Sequence, residues 1–159
     1  MAAESAPGRP FSTFNFSVEL RVKDVAPRVC DAQFSECDGL EMTLEAKTIK
    51  EGGNNNRLHR AAGPMAYGTL SLKRGMTGNF DLWTWFARTA ENPALRADGE
   101  VVLLAQDGVT ERVRFVLQRC LPVKLKAPSL NARDGAVAIE ELQLVYETLT
   151  VQIPEGSRA

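Results

Sequence analysis

The order of apolar and polar side chains along this chain changes period only once. "FNFSVELRVK" alternates without a fault, with Phe14, Phe16, Val18, Leu20 and Val22 on one side and Asn15, Ser17, Glu19, Arg21 and Lys23 on the other, which predicts a half-buried strand. "DVAPR" breaks it, because Pro27 lacks a ladder donor. A second strand is expected around Ala32 to Cys37, ending at a tight turn on Asp38-Gly39. "LEMTLEAKTIK" then alternates again, with Leu40, Met42, Leu44 and Ala46 opposite Glu41, Thr43, Glu45 and Lys47, so these two runs read as a hairpin. After the polar decade "EGGNNNRLHR" the alternation resumes in "YGTLSLKRG", with Leu70 and Leu72 inward and Thr69, Ser71 and Lys73 outward.

The one change of period falls in "GNFDLWTWFARTAENP". Leu82, Trp83, Phe86 and Ala90 recur at helical spacing, Asn79 suits the cap, Asp81 the positive end, and Pro93 the stop. The aromatic area of this helix is expected to pack on the core, with Trp85 the residue most suited to face a partner. "EVVLLAQ" and "ERVRFVLQRC" form a second hairpin about Asp107-Gly108, and "LPVKLKAPSLNARDG" reads as a proline-broken connection. In the last strand Val137 and Ile139 share one phase while Leu142, Leu144 and Tyr146 share the other, so Glu140-Glu141 reads as a β-bulge. The total is about seven strands and one helix with no strand-helix-strand repeat, which predicts a mainly β fold: an antiparallel sandwich or barrel with one flanking α-helix.

Composition adds limits to this picture. A chain of 159 residues fits one domain, here residues 11–154 between a Pro/Gly leader (1–10) and a short tail (155–159). Nineteen basic against twenty acidic side chains leave a formal charge of -1, so no global field exists to hold nucleic acid. The first residues, "MAAESAPGRP", have neither the basic end nor the apolar run of a secretory signal, and no run is long enough to span a bilayer. Assembly in the cytoplasm without membrane insertion is the expectation. Cys30, Cys37 and Cys120 have no C-x-x-C spacing and read as small hydrophobes rather than as a disulfide or zinc framework.

Candidate chemistry is sparse. Gly63 and Gly68 have the gap of a phosphate loop, but no lysine follows and the helix does not begin there. His59 is the only histidine, which argues against a metal site, and no G-x-S-x-G elbow is present. The acid pairs Asp98/Glu100 and Glu140/Glu141 are poorly placed for paired carboxylate work. Arg57, Arg60, Lys73 and Arg74 form a basic cluster without the interleaved aromatics that a single-stranded nucleic acid needs. These features imply neither a catalytic residue nor a metal or cofactor. They leave unexplained why a long polar decade interrupts two alternating runs, a placement typical of functional loops.

Several marks in fixed order offer an answer: Gly39-Leu40, the "EGGNN" of Glu51 to Asn55, Gly63-Pro64, the "LKRG" of Leu72 to Gly75, and the late Pro122, Leu125, Ala127 and Pro128. Together, over Phe11 to Pro154, they resemble the tail tube proteins of contractile phages and phage-tail-like contractile injection systems. That resemblance implies a β-sandwich whose strands complete a barrel on oligomerisation, in hexameric rings stacked into a hollow tube inside a contractile sheath. It implies partners of the same kind: further copies of this chain, the sheath protein, baseplate, tube-initiator and terminator proteins, and protein cargo in the lumen of a particle that is released. It also makes the polar decade a contact arm, with Glu51, Gly52, Gly53, Asn54, Asn55, Asn56, Arg57, His59 and Arg60 at the subunit or ring interface. Glu41, Thr43, Glu45, Lys47, Thr69, Ser71 and Lys73 are the expected lumen lining, on the reasoning that their strand neighbours bury the opposite side. The alternatives are a baseplate-proximal initiator ring, the tube of another secretion system, and a small-molecule-binding β-sandwich.

Overall fold

The computed structural model describes residues 15–22, 30–32, 34–50, 52–53 and 58–155. Its elements are β1 (Phe16–Val22), β2 (Cys30–Ala32), β3 (Glu36–Asp38), β4 (Met42–Ile49), β5 (His59–Tyr67), β6 (Thr69–Gly75), α1 (Asp81–Glu91), β7 (Ala97–Leu104), β8 (Glu111–Lys126), β9 (Ile139–Val145) and β10 (Thr148–Gln152). Every pairing among the described strands is antiparallel. The main sheet has the order β2-β1-β7-β8-β9-β6-β3, with β10 also on β8, while β4 and β5 pair with each other in a two-stranded sheet of their own.

The main sheet turns back on itself through β8. Residues 111–120 of β8 pair with β7 and β10, and residues 121–126 pair with β9. The corner lies where the register against β7 slips by one residue and Arg119 takes a positive φ of 54°. An extra residue with left-handed backbone bends a strand at a bulge, which is how one strand serves two packed layers. Asp98 and Glu147 hold the corner, accepting from the Arg119 amide and from its guanidinium at 2.8 Å respectively.

Between the two layers lies a single apolar core. Val18, Leu20, Val101, Leu117 and Cys120 come from one layer, and Leu70, Leu72, Leu142 and Leu144 from the other. Helix α1 closes one side with Leu82 and Trp85. Asn79 accepts the Asp81 amide at 3.0 Å, so the expected capping residue is engaged one position before the N-cap Phe80. The helix ends at Glu91, just before Pro93.

Five expectations are corrected. Asp38-Gly39 is no hairpin turn: the runs on either side of it form one kinked strand line, β3 then β4, whose partner is the line β5 then β6. The registers Asp38↔Ser71, Met42↔Tyr67 and Ile49↔His59 belong to one long hairpin, so Gly52 and Gly53 lie at its tip and His59 and Arg60 already lie in β5. The alternation of β4 was legible, but β5 has Gly63 and Pro64 in mid-strand and hides its period. Pro122 does not break the chain either, since β8 continues to Lys126 and absorbs the disturbance as a one-residue slip between Pro122 and Lys124.

Glu140-Glu141 is not a bulge, because β9 pairs with β6 in unbroken register from Ile139 to Val145. Glu140 simply occupies an inward position in phase with Leu142 and Leu144, as a buried charge. Trp85 faces the core at 1% exposure and is not available to a partner. The described strands number ten rather than about seven, because the long lines are cut by kinks.

Candidate functional site

The long hairpin is half inside the fold and half outside. Its base, β3 and β6, lies in the main sheet; its distal half, β4 and β5, projects as an arm. The transition is at Gly39, with φ +107°, where a Cβ would sit 1.9 Å from the Thr69 carbonyl oxygen. Only glycine supplies that backbone and that approach.

Tyr146, at the end of β9, sets the angle of departure. Its hydroxyl lies 2.8 Å from the Gly39 carbonyl and 3.2 Å from that of Glu41 as donor, and accepts the Glu41 amide at 3.1 Å. Its ring meets Tyr67 at 5.6 Å between centroids, tilted by 52°. Burial, the main cause, pushes the phenol above its ordinary value, so it stays a neutral donor at physiological pH. Tyr146→Phe keeps the packing but leaves the Gly39 carbonyl without this donor, and we expect a loss of about 1–3 kcal/mol. Equilibrium denaturation measures it, together with faster exchange of the Glu41 amide.

Along the arm, the paired positions Met42↔Tyr67 and Leu44↔Met65, continued by Ala46↔Ala62, share one face. Tyr67 packs against the core, so this face prolongs the core side of the hairpin beyond the domain. There Met42, Leu44 and Met65 stand 53%, 53% and 52% exposed. The opposite face carries Thr43 and Lys47 across from Ala66 and Ala61, with Ile49 across from His59. Between Leu44 and Ala46 the register slips at Gly63-Pro64, and a Cβ on Gly63 would meet the Glu45 carbonyl oxygen at 2.6 Å. At the tip Gly53 takes a φ of +103°; Glu51, Asn54, Asn55, Asn56 and Arg57 lie outside the described residues.

A second surface is the outer face of the layer formed by β3, β6, β9 and the end of β8. Across these strands, the register aligns Glu36, Lys73, Glu141 and Lys126 in one row and Asp38, Ser71, Gln143 and Lys124 in the next. Lys73 reaches Glu36 at 3.3 Å, and Glu141 accepts from Ser71 at 3.2 Å and Gln143 at 3.1 Å. These bonds, Gln143 first, hold the Glu141 carboxyl below its ordinary value. Alternating signs across neighbouring strands make a polar, charge-balanced face.

The expected lumen residues are therefore divided. Thr69, Ser71 and Lys73 lie together on this face, whereas Thr43, Glu45 and Lys47 belong to the arm, and Glu41 sits at the kink between. The reasoning from a buried opposite side holds for β6 but fails for β4, all eight of whose residues are exposed in the isolated chain. The same face carries Glu141, Gln143, Lys124 and Lys126, whose place beside Ser71 and Lys73 depends on the pairing of β8 and β9 and has no local sequence signal.

Elsewhere the chemistry is quiet. Burial, the main cause, pushes the Cys37 and Cys120 thiols up to about 12. Alkylation of the native protein at pH 8 should leave both unmodified, and rapid labelling of Cys120 would contradict its placement in the core. Among the described residues, no group of three or more His, Cys, Asp or Glu side chains gathers to hold a metal ion. No described helix is long and apolar enough to cross a membrane.

A projecting hairpin on a sandwich with one uncovered polar sheet face suits an assembly subunit, and comparison with known proteins decides which kind. The family model of the T4-like virus tail tube protein gp19 matches residues 12–150. The chain belongs to this tail tube family. Tail tube proteins are structural proteins rather than a class of enzymes.

Solved structures agree with that membership. A chain of the anti-feeding prophage (AFP) baseplate is 26% identical, with a TM-score of 0.79 over 91% of this tail tube protein and 96% of that chain. The AFP tube-terminating cap gives 20% identity and 0.80 over 96% and 97% respectively. The sheath-tube complex of the extracellular contractile injection system PVC gives 19% and 0.77 over 93% and 95%. The last two likenesses speak for the fold. No curated protein matches the chain in sequence.

Proposed function

We propose that this tail tube protein is a ring-forming subunit of the inner tube of a contractile injection system, hexameric and stacked into a hollow tube. The observation that carries the reading is the arm: a two-stranded sheet with an apolar stripe, Met42, Leu44 and Met65, that the described residues leave exposed. An isolated hairpin of this kind is marginal in water, so the rest of its stability has to come from another surface. Further copies supply one.

Lateral closure has a natural route. Among the described residues, the four-strand layer is open at two edges, the outer side of β3 and the outer side of β8 from Leu121 to Lys126. Pairing the one edge with the other on the next copy closes a barrel and removes both unpaired rows. The charge-balanced face then lines the lumen, and Thr69, Ser71 and Lys73 with their neighbours meet whatever protein cargo travels there. The sheath, the baseplate and a terminator are the remaining partners, and the finished particle is released from the cell that builds it. Interface roles for Glu51, Gly52, Gly53, Asn54, Asn55, Asn56, Arg57, His59 and Arg60 belong to the same reading.

The test is negative-stain electron microscopy of purified protein over a concentration series, with native mass measured alongside. Stacked rings with a central hole are expected, and the double variant Met42→Lys/Leu44→Lys, on exposed positions, should stay folded and lose them. Tubes of undiminished length from that variant would sink the role of the arm. Discrete rings that never stack would favour a baseplate-proximal initiator, the reading to which the 26% likeness to a baseplate chain lends weight.

A further inference from the structure

The arm meets the domain at two chain crossings that lie side by side. One is residues 39–41, between β3 and β4, and the other is Gly68, between β5 and β6, whose amide donates to the Glu41 carbonyl at 3.2 Å. Both crossings contain a glycine. Gly39 passes against the Thr69 carbonyl, and at Gly68 a Cβ would stand 2.4 Å from Glu41 Cγ and 2.8 Å from its Oε1, so the Glu41 side chain lies over that backbone. Neither glycine has a side chain that could wedge the arm at one angle. Beyond the crossings, β4 and β5 pair only with each other among the described strands, and every residue of β4 is exposed.

Tyr146, itself buried, reaches both crossings at once. Its hydroxyl meets the first, at the Gly39 carbonyl and at the amide and carbonyl of Glu41. Its ring meets the second, through Tyr67, the residue before Gly68. A phenol has one proton to give, so the two carbonyls share a single donor, and Gly39 at 2.8 Å lies closer to it than Glu41 at 3.2 Å.

We propose that the crossing is a hinge and the Tyr146 hydroxyl its latch. The arm is a two-stranded lever, held at one angle in the free chain and able to pivot about Gly39 and Gly68 when the hydroxyl lets go. The lever keeps its own cross-strand pairs in either setting, because the hinge lies outside the paired run from Met42↔Tyr67 to Ile49↔His59. Segments with little buried contact are the ones that open without unfolding the rest. A lever aimed in advance loses less freedom when it meets its surface, so the latch speeds assembly without adding a contact to the assembled state. That effect on assembly rests on the tube reading above; the hinge does not.

The angle is read as the distance between spin labels at Lys47→Cys on the arm and Thr150→Cys on β10, both exposed positions. A Cys30→Ser background leaves in place only the poorly reactive thiols of Cys37 and Cys120. In the unassembled protein one narrow distance distribution is expected, and Tyr146→Phe should lose it to a broad one. Val101→Ala in β7 truncates the core and also lowers the melting temperature, yet should keep the narrow distribution. A narrow distribution in Tyr146→Phe, or equal broadening in Val101→Ala, overturns the latch. Tubes from Tyr146→Phe should grow several-fold more slowly and end with wild-type appearance; an unchanged growth rate overturns the link to assembly. Because the distances are taken before assembly, they decide the latch whether or not tubes form. A wild-type chain that forms no ring or tube at any concentration overturns the tube reading alone.

Discussion

Gly39→Ala should cost this protein about 3 kcal/mol or more, lower its melting temperature by roughly 10 °C, and abolish tubes. Two independent terms add. A residue with a side chain held at φ +107° is strained by about 1–3 kcal/mol, and the new Cβ would lie 1.9 Å from the Thr69 carbonyl oxygen, a distance no contact tolerates. Relief requires the strand line to move away from β6, which also breaks the bonds between the Tyr146 hydroxyl and Gly39 and Glu41. At 159 residues each kcal/mol corresponds to roughly 2–4 °C. Gly75→Ala is the control: a Cβ there meets nothing within 4 Å, and its stability should stay within about 0.5 kcal/mol of wild type. Equal melting curves for the two variants would refute the strained kink.

Glu140→Leu should be the second large loss, about 3–5 kcal/mol, with most of it recovered in the double variant Arg74→Met/Glu140→Leu. The two side chains are 4% and 1% exposed, and Arg74 Nε donates to Glu140 Oε1 at 2.5 Å. Trp83 Nε1 donates to the second carboxylate oxygen at 2.9 Å, tying α1 to the sheet, and the guanidinium lies 5.7 Å from the centre of the Phe34 ring. Removing one partner strands a buried charge, whereas replacing both with apolar groups of similar volume is often neutral or stabilising. The Trp83 donor remains unmatched in the double variant, so recovery should stop about 1 kcal/mol short. Urea denaturation of the three proteins reads this directly. Additive losses, with the double variant worse than either single one, would show that the pair is not the unit of stability.

The fold class was legible because alternation is a local property: the apolar inward residues of β1 and β6 were assigned from period alone, whereas Arg74, grouped by sequence with the exposed basic side chains, is buried in β6. Positions that fooled the pattern share a physical cause, a polar residue or proline whose meaning depends on a distant strand. Glu140 looked like a phase error because a charge at an inward position makes sense only opposite Arg74, 66 residues away. Asp38-Gly39 has the composition of a turn, and what makes it a kink is Tyr146, which no local signal connects to it. The apolar side of β4 was correctly separated from its polar side, yet its burial waits for another surface. Thr69, Ser71 and Lys73 share one polar sheet face, and the residues beside them on β8 and β9 could be located only through register.

One consequence of the continuous hairpin concerns mechanical load. Antiparallel ladder bonds lie across the strands, so a pull along a strand stretches many of them at once, whereas a pull across it opens them one by one. The arm continues β3 and β6 beyond the layer, and β6 is held on both sides, by β3 and by β9. A tug on the arm along its own length thus reaches the domain as shear over the seven-residue β6 and its neighbours, not as peeling at an edge. A force applied to the arm is in this way taken up by a strand that is paired on both sides.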